Sequence, residues 1–131
     1  VVHYIDTSAV AKLVVQDVET AALRSRIAAE SRTLVSSDLV RTELLRAARR
    51  AAPDRAVQAR ALLDAITLLT VPTATFEAAA QLDPTTTLWT LDAIHLAVAL
   101  ELGDDLAGLI TYDDRLAAAA QAHGIAVVAP A

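Results

Sequence analysis

Val2-His3-Tyr4-Ile5-Asp6-Thr7-Ser8-Ala9 opens the chain with an abrupt change of character. The first four residues are a short run rich in β-branched and aromatic side chains, which reads as a strand. Asp6 follows at once, and Ser8 can cap a helix reaching about residue 15. The same alternation then repeats. Asp17 can cap a helix over 19–29, and 33–36 reads as a second strand. Ser36 or Ser37 caps a helix over 38–51, with Pro53 just beyond its end. Pro53-Asp54 opens a helix to about residue 63, and 66–69 is a third strand. Thr73 caps a helix over 74–82, and 83–87 is a loop. Thr90 caps a helix over 91–102 that Gly103 stops. Residues 109–111 form a fourth strand, Asp113 opens a helix to 122 that His123-Gly124 ends, and 126–128 form a fifth strand. Strands alternating with helices imply parallel βαβ units in a doubly wound sheet. In such sheets the working site lies outside the carboxyl ends of the strands.

The chain has 131 residues, the size of one domain spanning 1–131. It has no cysteine, which excludes thiol catalysis, Cys-based zinc sites and disulfide scaffolds, and suits a reducing cytosol. The hydrophobic fraction is 55%, but thirty of those residues are Ala and only four residues are aromatic, the composition of a helix-rich globular protein. The longest apolar candidate, 91–100, is too short for a membrane span and is broken by Asp92 and His95. A cytoplasmic protein with no membrane partner is expected. The net charge of −5, taken as a sum, argues against a nucleic-acid partner. Its distribution says otherwise. Residues 1–60 hold ten Lys or Arg against seven acids, and residues 61–131 hold one Arg against nine. A basic half is joined to an acidic half.

Several of the acids fall where a site is expected. Asp6 follows strand one, and Asp113 and Asp114 follow strand four. Asp92 lies in the first turn of a helix that is apolar almost all round, so its carboxylate enters a poorly solvated place partly offset by the helix dipole. On the 38–51 helix, Val40, Leu44, Ala47, Ala48 and Ala51 make one stripe, and Glu43 lies about 90° from its middle, at the border of core and solvent. Taken singly, each has a plain structural role: Asp6 and Asp113 as caps, Asp92 as a dipole partner, Glu43 as a partner of Arg46. Taken together they repel. At ~5 Å and an effective dielectric of ~20, each pair costs on the order of 3 kcal/mol. Such a cluster calls for a cation, and hard oxygen donors without Cys select Mg²⁺ or Mn²⁺.

Four segments carry a family resemblance: Tyr4-Ile5-Asp6-Thr7-Ser8-Ala9, Ser36-Ser37-Asp38-Leu39-Val40-Arg41-Thr42-Glu43-Leu44, Leu91-Asp92-Ala93-Ile94-His95-Leu96-Ala97, and Ile110-Thr111-Tyr112-Asp113-Asp114-Arg115-Leu116. In order and spacing they resemble the PIN-domain ribonucleases, especially the VapC toxins of bacterial toxin–antitoxin pairs. The resemblance covers essentially the whole chain. It implies an α/β, PIN-like fold: a five-stranded parallel sheet of order 3-2-1-4-5 flanked by about seven helices. Asp6, Glu43, Asp92 and Asp113 match the family's acidic metal site, and Asp114 is the alternative to Asp113. Thr7 or Ser8, and Thr111, match positions that support the site by hydrogen bonds. The implied activity is that of a metal-dependent endoribonuclease using Mg²⁺, with Mn²⁺ as a substitute, on tRNA or ribosomal RNA. One or two ions would act on the scissile phosphate, Asp6 or Glu43 would accept the proton, and the products would carry 5′-phosphate and 3′-hydroxyl ends. The implied partners are an RNA substrate, a VapB-like antitoxin and a second copy in a homodimer.

Other residues allow two readings. Arg41, Arg46, Arg49 and Arg50, with Arg55 and Arg60, cluster on two successive helices and suit the phosphate backbone, an acidic antitoxin tail, or simple solvation. His95, one turn after Asp92, can hydrogen-bond that carboxylate or be a buried structural residue. Trp89 can stack a base at the site rim or pack against the fold. The competing functional class is a catalytically silent PIN-like module that binds RNA or protein; the intact set of acids speaks against it. A haloacid-dehalogenase phosphatase would need Asp-x-Asp after strand one, and a receiver domain would need a late-strand Lys; this chain has neither.

Overall fold

The computed structural model describes residues 1–29, 33–82 and 88–131. The loop expected over 83–87 lies outside them. Five strands, β1 (Val2–Ile5), β2 (Thr33–Ser37), β3 (Thr67–Leu69), β4 (Leu106–Ile110) and β5 (Val127–Val128), form one sheet of order β3-β2-β1-β4-β5. Every pairing is parallel. Among the described residues the seven α-helices are α1 (Thr7–Lys12), α2 (Thr20–Ala29), α3 (Leu39–Ala51), α4 (Ala56–Ala65), α5 (Thr73–Ala80), α6 (Thr90–Glu101) and α7 (Asp114–Ala122). The order is the one the family resemblance implies, and the doubly wound architecture is the one expected from the alternation of strands and helices.

Strand alternation divides the core between the two faces. Tyr4 of β1 and Leu109 of β4 join Val35, Leu96, Leu116 and Ala120 in the cluster beneath α6 and α7. Their neighbours Ile5 and Ile110 join Val10, Val40, Leu44 and Leu63 in the cluster beneath α1, α3 and α4. On α3 the buried residues are Val40, Leu44 and Ala48, the centre of the expected stripe. The outermost stripe residue, Ala51, is exposed at the helix end.

Several boundaries depart from the sequence reading. The cap of α1 is Asp6, whose Oδ1 accepts from Ala9 N at 3.2 Å; Ser8 instead donates to Asp6, and the helix stops at Lys12. At α2, Asp17 accepts from Glu19 N, while buried Thr20 donates to the Lys12 carbonyl and starts the helix. Thr73 and Thr90 are the first helical residues rather than caps, preceded by extended Pro72 and Trp89. The helix expected to open at Pro53-Asp54 begins at Ala56, after a single 3₁₀ turn over Pro53–Arg55. Strand β4 begins three residues earlier than expected. Leu106-Ala107-Gly108 has weak strand character, but Val2 and His3 of β1 supply a ready pairing edge. Gly103 and Gly124, at φ +54° and +80°, end α6 and α7 in the left-handed conformation that glycine adopts without steric cost.

Candidate active site

The carboxyl edge of the sheet opens into a cavity of about 420 Å³ lined by Asp6, Glu43, Asp92 and Asp113 together with Trp89 and His95. Each acid arrives by a different local device. Asp6 leaves β1 as the cap of α1, and Glu43 stands in the second turn of α3. Asp92 is in the first turn of α6. Asp113 caps α7, its Oδ1 accepting from the backbone N–H groups of Arg115 and Leu116 at 2.9 Å each. Asp114 is the exposed first residue of α7 and does not line the cavity. The geometry therefore separates the two neighbours that the sequence left ambiguous.

Asp6 is buried and held on both oxygens. Ser8 Oγ donates to Oδ1 at 2.7 Å, alongside Ala9 N, and Thr111 Oγ1 donates to Oδ2 at 2.7 Å. Burial pushes its carboxyl above the ordinary carboxylate range, and the hydrogen bonds from Ser8, Thr111 and Ala9 offset part of that rise. Thr111 also accepts from Asp113 N at 3.1 Å, and Ser8 accepts from Tyr112 N at 2.9 Å. These hydroxyls tie the end of β1 to the end of β4.

Glu43 is held from two other elements. Thr7 Oγ1 donates to Oε1 at 2.8 Å, and His95 Nε2 lies 2.6 Å from the same oxygen. The second ring nitrogen of His95, Nδ1, is 2.6 Å from the hydroxyl of Tyr4. The buried ring therefore links the Tyr4 hydroxyl to the Glu43 carboxylate, one nitrogen to each. Burial raises the Glu43 carboxyl, but the hydrogen bonds and charge from His95 and Thr7 outweigh it, and the net shift is downward. His95 is thus buried and bonded to Glu43, not to Asp92. The (i, i+3) spacing puts His95 and Asp92 on the same side of α6, but only the placing of α6 and α3 on opposite faces, meeting over the carboxyl edge of the sheet, decides which carboxylate the ring meets. Tyr4 is not singled out by the sequence reading. The signal available was its place on the sheet face that α6 covers.

Asp92 carries the electrostatic signature of the cluster. Its carboxyl is pushed up to about 6, first by burial and then by the negative charges of Asp113, Asp6 and Glu43, with His95 opposing. Among the described residues, no three His, Asp or Glu side chains are already drawn together at the range of a bound ion. Protein donors hold Asp6 and Glu43 in place instead. The donor set still fits a hard divalent cation: four carboxylates, no thiol, and a mutual repulsion that a cation would relieve.

The arginines lie elsewhere. Arg41, Arg46, Arg49 and Arg50 are all exposed on α3, and none lines the acidic cavity. Arg41 pairs with Asp38 at 3.1 Å. Arg46 and Arg49 join Arg60, Leu45, Ala48 and Ala56 around a groove of about 390 Å³ between α3 and α4. Trp89, for which packing was one reading, is 70% exposed at the rim of the acidic cavity.

The PIN-domain family model matches residues 3–122. The chain is 43% identical over 127 residues to Ribonuclease VapC46 of Mycobacterium tuberculosis, covering 97% of this chain and 96% of that protein. It belongs to the PIN-domain family, among the VapC ribonucleases. Ribonuclease VapC47 of Mycobacterium tuberculosis is 37% identical over 131 residues, again with 97% and 96% of the two chains covered. The fold of this VapC chain matches that of Mycobacterium tuberculosis VapC20, a Sarcin-Ricin loop cleaving toxin, with a TM-score of 0.80 at 21% identity over 98% of this chain and 99% of that one. It also matches a chain of a toxin–antitoxin complex from Klebsiella pneumoniae, with a TM-score of 0.76 at 20% identity over 98% of each. Among the described residues no helix of this PIN domain is long and apolar enough to cross a membrane.

Proposed function

We propose that this VapC ribonuclease is an Mg²⁺-dependent endoribonuclease toxin, with Asp6, Glu43, Asp92 and Asp113 as the carboxylates that hold the ion. The observation that carries the reading is that the four carboxylates line one cavity at the carboxyl edge of the sheet, where burial first and then the other three acids raise the Asp92 carboxyl. Mg²⁺, or Mn²⁺ in its place, would supply Lewis acidity toward the scissile phosphate and lower the pKa of water. The protein's own residues position and exchange protons. Both Asp6 oxygens already accept hydrogen bonds from Ser8, Ala9 and Thr111, which suits a rigid ligand. Both bonds to Glu43 fall on Oε1, so among the described residues Oε2 is the oxygen without a donor. That geometry favours Glu43 Oε2 over Asp6 as acceptor of the attacking water's proton. In-line attack on phosphorus breaks the P–O3′ bond and leaves 5′-phosphate and 3′-hydroxyl ends.

The substrate class we propose is tRNA or ribosomal RNA. The exposed arginines of α3 would contact its phosphates, and their number makes binding salt-dependent. The groove between α3 and α4 combines an apolar floor with Arg46, Arg49 and Arg60, a surface suited to a VapB-like antitoxin or to a second copy of this chain. The test is cleavage of total RNA by the purified protein in Mg²⁺, Mn²⁺ or EDTA, followed by mapping of 5′-phosphate ends. Cleavage that survives EDTA, or wild-type cleavage by Asp92→Asn, would overturn the reading. Co-expression with the neighbouring antitoxin should relieve growth arrest; no arrest without it would count against a toxin.

A further inference from the structure

Trp89, on the rim of the acidic cavity, stacks with Arg115. The Arg115 guanidinium carbon lies 5.0 Å from the centre of the Trp89 ring. Their places in the chain tie the pair to the acids. Trp89 precedes α6 three residues before Asp92, and Arg115 follows Asp113 by two, its backbone N–H donating to Asp113 Oδ1. The stack therefore bridges the two helix starts that deliver Asp92 and Asp113. It is also unusual in composition. Arg115 is the one Lys or Arg in 61–131, and Trp89 is the one tryptophan of the chain. An indole 70% exposed gains little from packing, and its side chain makes no cap hydrogen bond to α6.

Resting on the ribonuclease reading above, we propose that Trp89, backed by Arg115, is a nucleobase-stacking platform that seats a base next to the scissile phosphate. A large π-face offered to solvent beside a phosphate-cleaving site suits a base that has been unstacked, because single-stranded segments are read by stacking on aromatic and guanidinium planes. Through Trp89, Arg115 sets a cation beside a cavity whose lining holds four carboxylates, and it pre-orders the indole. A protein partner could also cover an exposed Trp. The position inside the cavity that holds the four acids, rather than on the α3–α4 groove, favours the base.

The single tryptophan makes the test direct. Trp89 fluorescence is titrated in EDTA with single-stranded hexa-adenylate and with an abasic ribose-phosphate hexamer of the same charge. Stacking predicts quenching by the first and little by the second; equal quenching overturns the proposal. In cleavage assays Trp89→Ala should raise KM roughly 5- to 100-fold with kcat largely kept, from the usual strength of base–aromatic stacking. Trp89→Phe should restore most of the loss, and Phe76→Ala, which removes an exposed aromatic on α5, should leave KM unchanged. An unchanged KM in Trp89→Ala, in a protein whose wild type cleaves, removes the platform and leaves the ribonuclease reading intact. A wild type that cleaves no RNA removes the ribonuclease reading, while the quenching still decides whether bases stack. Shielding of Trp89 by co-expressed antitoxin but not by hexa-adenylate assigns it to protein contact and overturns the proposal.

Discussion

Replacing Asp92 with Asn should stabilise the metal-free protein at neutral pH while removing its activity. The folded-state carboxyl lies near 6, against an ordinary value of 3.8, chiefly from burial and then from Asp113, Asp6 and Glu43. Because the folded pKa exceeds the unfolded one, the folded protein binds more protons between about pH 4 and 6. Stability therefore falls as pH rises through that window, and the whole penalty is present above it. A shift of about two units corresponds to roughly 3 kcal/mol at most. Asp92 is only half-buried, so solvent screening reduces this to about 1–2 kcal/mol. Loss of a favourable charge at the α6 N-terminus takes back about 0.3–1 kcal/mol. The expected net gain is about 1 kcal/mol, or roughly 3–5 °C in Tm for a chain of this size. The assay is thermal unfolding of both proteins in EDTA at pH 4, 6 and 8. The gain should be full at pH 8 and absent at pH 4. At Mg²⁺ a hundredfold above its Kd, the wild type should recover about 2.7 kcal/mol and overtake the variant. A variant no more stable at pH 8, or one with the same advantage at pH 4, would refute the idea that the four acids repel across one cavity.

Tyr4→Phe removes the hydroxyl bonded to buried His95 Nδ1, which should cost about 1–3 kcal/mol in denaturant unfolding. It should also lower cleavage roughly 10- to 100-fold by releasing the ring that holds Glu43, visible as a right-shifted Mn²⁺ activation curve. Asp113→Asn should abolish cleavage yet keep the α7 cap, since Asn caps nearly as well as Asp, whereas Asp113→Ala should also lose about 1 kcal/mol of stability. Asp114→Asn should cleave within about twofold of wild type, given the usual small effect of exposed substitutions; a loss as large as that of Asp113→Asn would transfer the ligand role to Asp114. Arg46→Ala with Arg49→Ala should weaken RNA binding for all sequences alike. The slope of log K against log salt should fall by about 0.7 for each phosphate that the variant no longer neutralises, measured by titration at several salt concentrations.

Particular residues show how far the site was legible before the fold. Asp6 and Asp113 could be placed because each follows a strand closely, and in a parallel sheet that puts both at the carboxyl edge. Glu43 could be placed because the α3 stripe is clear enough to show it at the margin. The partners of these acids could not. The same hydroxyl of Ser8 could cap a helix or brace Asp6, and local sequence offers both bonds; the closeness of Thr111, 103 residues away, decides. Trp89 was ambiguous because an aromatic before a helix packs or protrudes according to the neighbours it finds.

The sequence by itself determined the alternation of strands and helices, the buried stripe of α3, and the carboxylates of Asp6 and Asp113 just after strands. These follow from local period and chain order, which need no knowledge of distant contacts. Tertiary structure alone decided that His95 meets Glu43 and Tyr4, that Asp113 and not Asp114 faces the cavity, and that Trp89 stands exposed under Arg115. Each depends on the angle and distance at which two helices cross the sheet, and those are set by the packing of the whole core.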